Sequence, residues 1–242
     1  MLTKVLALEW SQRGVTVNAV APTFIYTPGT AARLDQPVLH DDQHGTAVVT
    51  LAAVRNAGRI SGQRLSQSLV GQVGLGAAGY GIARLLFARG ASRILGADLD
   101  PSAVARFEEL GGEASNLERI MAEAEIVIAT TGVRGLIKPE MVRPGQVILA
   151  LTNPDPEIEP ATARDAGAVF AADGKSINNV LGFPGLFRGA LDARARRFTD
   201  AMLLAAAEAI ADTADESDLV PDALDLAVHQ AVAEAVKAAA AD

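Results

Sequence analysis

Residues 68–86 read SLVGQVGLGAAGYGIARLL, an extended apolar run that meets Gly74, Gly76 and Gly79 and then becomes a helix. A Gly-x-Gly-x-x-Gly between a strand and a helix gives a tight turn, lets the backbone approach a pyrophosphate, and packs the helix closely on the strand. The phosphates then meet the free N–H groups of the first helical turn, where the positive end of the dipole favours an anion. Gly71 and Gln72 interrupt the apolar run and are the weak part of the pattern. A second reading stays open, in which a glycine-rich turn serves close packing in an α/β core and holds no ligand.

Downstream, Ile82, Leu85, Leu86 and Arg89 follow at helical spacing, Gly90 ends the helix, and Arg93–Ala97 is expected to be a strand that ends in Asp98. An acidic residue about 20 residues past the glycines is placed to accept hydrogen bonds from ribose hydroxyls, which favours NAD. NADP stays open, because Arg93 and Arg106 lie near enough in sequence to neutralise a 2′-phosphate. Helices are expected over Pro101–Leu110 and Ser115–Ala124, and strands over Glu125–Ala129, Gln146–Ala150 and Ala168–Ala171. The C-terminal ends of the strands carry Asp98, Thr130, Asn153 and Asp173, although Thr130, Asn153 and the Asp173–Gly174 pair also suit ordinary turns. Strands alternating with helices predict an α/β fold, a Rossmann-like doubly wound parallel sheet with flanking helices. A C-terminal helical pair follows, with Phe198, Met202, Ala205, Ala206 and Ala209 on one stripe and Leu224, Val228, Ala231, Val232 and Ala235 on the other. Such alanine-rich faces pack against the sheet or against another subunit, and a homo-oligomer is expected.

The chain has 242 residues, half of them hydrophobic, so it can bury a sizeable core. Its formal net charge of -8 argues against nucleic-acid and anionic-membrane partners. Without cysteine there is no disulfide, thiol nucleophile or cysteine zinc site. No charged-then-apolar leader is seen, and apolar stretches such as Met202–Ile210 are too short to span a bilayer, so a soluble cytoplasmic protein is expected.

Towards the N-terminus, Met1–Arg13 reads as a helix and Val15–Val20 as a strand, while Pro37–Leu39 is expected to be a short strand before a helix over Thr46–Asn56. Between the last two lie Asp41 and Asp42, hard oxygen donors suited to magnesium or manganese. From spacing alone, capping of the following helix is the simpler role for them. His40 and His44 lack a third partner for zinc.

The stretch LTKVLALEWSQRGVTVNAVAPTFIYTP resembles the part of short-chain dehydrogenases that follows their catalytic Tyr-x-x-x-Lys pair, which sets residues 1–35 apart as one segment. From residue 36 to 242 the chain is similar to the NAD(P)-binding half of bacterial-type malic enzymes. PVLHDDQHGTAVVTLAA, GLGAAG, ALTNPDPEI, INNVLGFPGLFRGALDARA and LVPDALDLAVHQAVAEAV carry that resemblance. Malic enzymes oxidise malate with NAD(P) and decarboxylate the product to pyruvate with a divalent metal. The resemblance implies that Asp42, with Asp41 beside it, binds magnesium or manganese. It further implies that Gly74, Gly76, Ala77, Gly79, Asp98 and Thr130 hold the dinucleotide, and that Asn153 and Asn179 face the nicotinamide and malate. The family's malate-binding half brings the acid–base tyrosine and lysine and two further acidic ligands, which this sequence does not match. No catalytic residue is therefore assigned, and cofactor binding without unaided turnover is expected. A short insert usual in the family is also missing between Ser176 and Ile177. Two alternatives remain: a non-catalytic dinucleotide-binding or structural module, and a reductase of short-chain type. The second is disfavoured because the glycine fingerprint follows the dehydrogenase-like fragment and does not precede it.

Overall fold

Short runs of Val, Ile, Leu and Ala bounded by turns become the strands of the computed structural model, which describes residues 37–216 and 218–240. The helix and strand expected over 1–20, and the dehydrogenase-like segment 1–35 as a whole, lie outside the described residues. The strands are β1 (Leu69–Val73), β2 (Arg93–Ala97), β3 (Glu113–Ala114), β4 (Ile126–Ala129), β5 (Val147–Ala150) and β6 (Phe170–Asp173). They form one sheet of order β3-β2-β1-β4-β5-β6 in which every pairing is parallel. This is the doubly wound order, with its switch point between β1 and β4. Val70 lies opposite Ile94 on one side and Ile126 on the other.

The helices are α1 (Thr46–Ser61), α2 (Ala77–Ala88), α3 (Pro101–Glu109), α4 (Leu117–Glu123), α5 (Pro160–Asp165), α6 (Phe183–Asp192), α7 (Asp200–Thr213) and α8 (Leu226–Ala239). Two apolar layers separate them. Ile94, Ile126, Ile128, Val147 and Leu149 face a core shared with α1, α2, α3 and the three C-terminal helices. Leu95, Val127, Ala129, Ile148 and Ala150 face a smaller core under α4 and α5. Burial on both faces explains why these strands are continuous apolar runs and do not alternate.

Gly71 and Gln72 do not interrupt β1. A Cβ on Gly71 would fall 2.2 Å from Ile120 Cγ2, so the glycine makes room for α4. Gln72 is fully buried and turns its amide toward the glycine turn.

Some boundaries differ from expectation. Pro37–Leu39 forms no strand. The first helix continues past Asn56 to Ser61 and ends at the left-handed Gly62, while the buried Asn56 amide donates to the carbonyls of Ala211 and Leu219, 3.0 Å each, and ties α1 to the end of α7. The last strand sits two residues later than expected, and the two-residue β3 has no signature in the pattern. The C-terminal pair is present as α7 packed on α8, and α6 packs on α8 beside it. Met202, Ala206, Val228 and Val232 are buried, so much of the two stripes is used inside the chain, whereas Leu224 precedes α8 and is 84% exposed. Among the described residues no helix is long and apolar enough to cross a membrane.

Candidate functional site

At the end of β1 the chain turns on Gly74, whose φ of +91° favours glycine. A Cβ there would also collide with the Thr130 carbonyl oxygen at 2.6 Å. Gly79 has no room for a side chain, since its Cβ would fall 1.9 Å from the Gly74 carbonyl oxygen. At Gly76 the opposite holds, with nothing within 4 Å of an added Cβ. Gly76 is the N-cap of α2 and offers no side-chain cap, so the first-turn N–H groups of α2 point into open space. That is a cradle for an anion built from backbone alone.

Three side chains hold this turn. Gln72 Nε2 donates to the Gly74 carbonyl at 3.0 Å and to Thr130 Oγ1 at 3.1 Å, and Thr130 Oγ1 donates to the same carbonyl at 3.2 Å. Asp98, at the end of β2, accepts from the Leu75 N–H at 2.6 Å through one oxygen and from the Asp100 N–H at 2.9 Å through the other. Each carboxylate oxygen keeps a lone pair for a further donor.

A crevice runs along this edge of the sheet in two lobes that share Thr130. One, of about 530 Å³, is lined by Gly74, Gly76, Asp98, Ser115, Glu118 and Val133 among others. The Ser115 hydroxyl is buried without a partner there, which suits a ligand that brings a polar group. The other lobe, of about 360 Å³, is lined by Asp42, Ala78, Thr130, Asn153, Asn178 and Asn179 among others. Gly76 borders one lobe and Ala78 the other, so the start of α2 stands between them. Among the described residues no Lys or Arg lines either lobe.

Asn153, beyond β5, donates its amide to the Gly174 carbonyl at 3.1 Å, linking the exits of β5 and β6. At the end of β6, Asp173 accepts from the Ser176 N–H at 2.9 Å and the Ser176 hydroxyl at 2.7 Å, closing the short turn directly into Ile177. Burial opposes the charge of Asp173, but these bonds outweigh it and hold its pKa below the usual carboxylate value. It is a turn residue, as its pairing with Gly174 suggested.

The acidic pair lies on a π-helical turn, Asp41–Gly45, that runs directly into α1. It seats against α2 at Gly81, where a Cβ would fall 2.5 Å from the Gln43 carbonyl oxygen. Asp41 turns inward, one oxygen accepting from Asn179 Nδ2 at 2.5 Å and the other buried without a partner. Burial and then the neighbouring Asp42 push its pKa up. Asp42 is exposed and alone of the two lines the crevice. Among the described residues no cluster of three His, Asp or Glu is arranged to hold a metal ion. His44 accepts from the His40 N–H at 3.0 Å, and burial, then Arg84 and His40, lower its pKa from 6.5 to about 4.

The fold thus gathers Gly74, Gly76, Ala77, Gly79, Asp98, Thr130, Asn153, Asn179 and Asp42 at one sheet edge, while Asp41 stands behind Asn179. Gln72, Ser115, Gly81 and Glu157 were not anticipated. Gln72 and Gly81 had a visible signal, a polar residue and an extra glycine beside the fingerprint.

The model of the family "Malic enzyme, NAD binding domain" matches residues 171–241. NAD-dependent malic enzyme 1 of Bacillus subtilis (strain 168) is 58% identical over 208 residues, covering 86% of this chain. The chain spans only 47% of that relative's length. The crystal structure of malic enzyme from Pyrococcus horikoshii Ot3 is similar with a TM-score of 0.79 and 34% identity, covering 90% of this chain and 59% of that one. A structure of a putative malic enzyme (malate oxidoreductase) matches with a TM-score of 0.80 and 32% identity over 97% of this chain and 70% of that one.

Proposed function

Since the chain belongs to the malic enzyme family and carries its NAD-binding domain, we propose that it binds NAD across the two-lobed crevice and serves oxidative decarboxylation of malate. The observation that carries this reading is the uncapped start of α2 beside the open space at Gly76, on the switch point of the sheet. The pyrophosphate would sit on the first-turn N–H groups of Ala77 and its neighbours. Asp98 would accept from the adenosine ribose, and Thr130, Asn153 and Asn179 would surround the nicotinamide in the smaller lobe. When bound, the nicotinamide supplies the hydride acceptor. The chain's own residues orient it, with Asn153 fixed by Gly174 and Asn179 fixed by Asp41.

Asp42 would provide one ligand to magnesium or manganese, a share of the several oxygens such ions take. The described residues do not complete that set. Malate or pyruvate as partner, assembly as a homo-oligomer and a cytoplasmic location belong to this reading as expectations.

The adenosine lobe supports NAD over NADP. Asp98 and Glu118 line it, no Lys or Arg does among the described residues, and a 2′-phosphate would meet like charge from those that line it. Titration calorimetry of the full chain with NADH and NADPH tests this. NADH is expected to bind at least about tenfold tighter, a difference of about 1.4 kcal/mol. Equal or tighter binding of NADPH would overturn the cofactor assignment, and no binding of either would overturn the function.

A further inference from the structure

Glu157 is a fully buried carboxylate with no cationic partner among the described residues. It belongs to the segment after β5, and its side chain reaches back to the exits of both β4 and β5. One oxygen accepts from the Thr131 N–H at 2.6 Å, from the Thr131 hydroxyl at 2.8 Å and from the Thr152 hydroxyl at 2.5 Å; the other accepts from the Thr152 N–H at 3.4 Å. The two hydroxyls work in both directions. Thr131 Oγ1 accepts from the Val133 N–H at 3.1 Å, and Thr152 Oγ1 accepts from the Gly132 N–H at 3.0 Å. The main chain adds a second brace, since Ile137 N–H donates to the Glu157 carbonyl at 3.0 Å and Gly135 N–H to the Pro156 carbonyl at 3.2 Å.

A carboxylate buried without a counter-charge is costly unless donors surround it, so a core position that served packing alone would be filled by an apolar side chain. Here the donors are the backbone and hydroxyls of the two loops that frame the crevice. Thr130, Thr131 and Val133 line the larger lobe, while Leu151, Thr152 and Asn153 line the smaller. Glu157 lines neither.

Building on the proposed function, we propose that Glu157 is a positioning residue for the nicotinamide half of the cofactor. It fixes the β4 and β5 exit loops at the spacing that lets Thr130 and Asn153 flank the ring. On the adenosine side Glu157 holds only Thr131 and, through the Thr131 hydroxyl, Val133 at the edge of the lobe, whereas the groups proposed for the pyrophosphate and the ribose, the glycine turn and Asp98, are not touched by it.

The test compares NADH with ADP-ribose, which lacks the nicotinamide, by calorimetry on the full chain. In Glu157→Gln the amide oxygen can still accept from Thr131 and the Thr152 hydroxyl, but the amide nitrogen cannot accept from the Thr152 N–H, and the remaining bonds lose the negative charge of their acceptor. Affinity for NADH is expected to fall about tenfold, the worth of a hydrogen bond to a charged group, while affinity for ADP-ribose changes less than about twofold. Removal of a negative charge would by itself strengthen binding of an anionic ligand, so a selective loss has the opposite sign to a long-range charge effect. Thr152→Val gives a milder second probe that keeps the carboxylate; it should lower NADH affinity alone, and Thr152→Ser should restore it. Equal loss of both ligands, or loss of neither, in variants that fold would overturn the proposal. Failure of the unaltered chain to bind either ligand would instead overturn the function on which the proposal rests.

Discussion

A Cβ on Gly79 would fall 1.9 Å from the Gly74 carbonyl oxygen, whereas one on Gly76 would meet nothing. The two positions therefore separate folding from binding. Gly79→Ala forces α2 away from the turn and is expected to destabilise the chain by about 1–3 kcal/mol or more, the range for overpacking. In Gly76→Val the side chain enters the space proposed for the pyrophosphate, so the melting temperature should shift by no more than about 3 °C while NADH binding is lost. Thermal melts and calorimetry on both variants check this; full NADH affinity in Gly76→Val would remove the phosphate from this turn. The glycines and Asp98 were legible because their meaning is local, set by offsets within one strand–turn–helix unit. Glu157 was not, although it stands in the quoted ALTNPDPEI, because its partner Thr131 is 26 residues away and comes near only once β4 and β5 pair. Asp41 and Asp42 looked equivalent in sequence; the π-helical turn directs one inward to Asn179 and the other to the crevice.

That turn also carries a pH dependence. His44 sits within it at a pKa of about 4 against 6.5 for a free histidine, and its Nδ1 must be unprotonated to accept from the His40 N–H. A depressed histidine pKa means that between about 6.5 and 4 the unfolded chain binds the proton and the folded chain does not. Stability from this group is thus whole at neutral pH and falls with acidification through that window. Discounted for partial exposure to water, the loss is roughly 2 kcal/mol. Urea unfolding at pH 7 and pH 4.5 should show a smaller acid loss in His44→Gln than in the unaltered chain; identical losses would remove His44 as the cause. Other elements differ in how plainly the sequence shows them, for physical reasons. Strands β2, β4 and β5 stand out as apolar runs between turns. The end of α1 was hidden because Asn56, polar and buried, satisfies carbonyls from distant segments, and β3 is too short for any periodicity.

For the molecule as a whole, the expectation is cofactor binding without efficient chemistry by the 242-residue chain alone. The crevice residues described include one exposed carboxylate and several amides and hydroxyls, but no lysine or tyrosine to take a proton from malate or return one to the product enolate. A positioned acid and base each contribute roughly 10²–10⁴-fold, so malate oxidation should be slower than a typical enzyme by at least about 10⁴-fold. Absorbance at 340 nm with malate, manganese and NAD measures it, and rapid turnover lost in Asp42→Ala would show that this chain supplies its own acid and base. The sheet order was foreseeable only as a class, since strand alternation implies a doubly wound sheet but does not say that β1 is flanked by β2 and β4. That placement governs how the chain acquires its site. Val70 must find Ile126 across the whole β1–β3 half before the crevice has a second wall. Contacts so far apart in sequence cost loop-closure entropy before they stabilise anything, and they slow the search. A nascent chain stalled before β4 emerges would thus carry the glycine fingerprint yet offer the dinucleotide only half a groove.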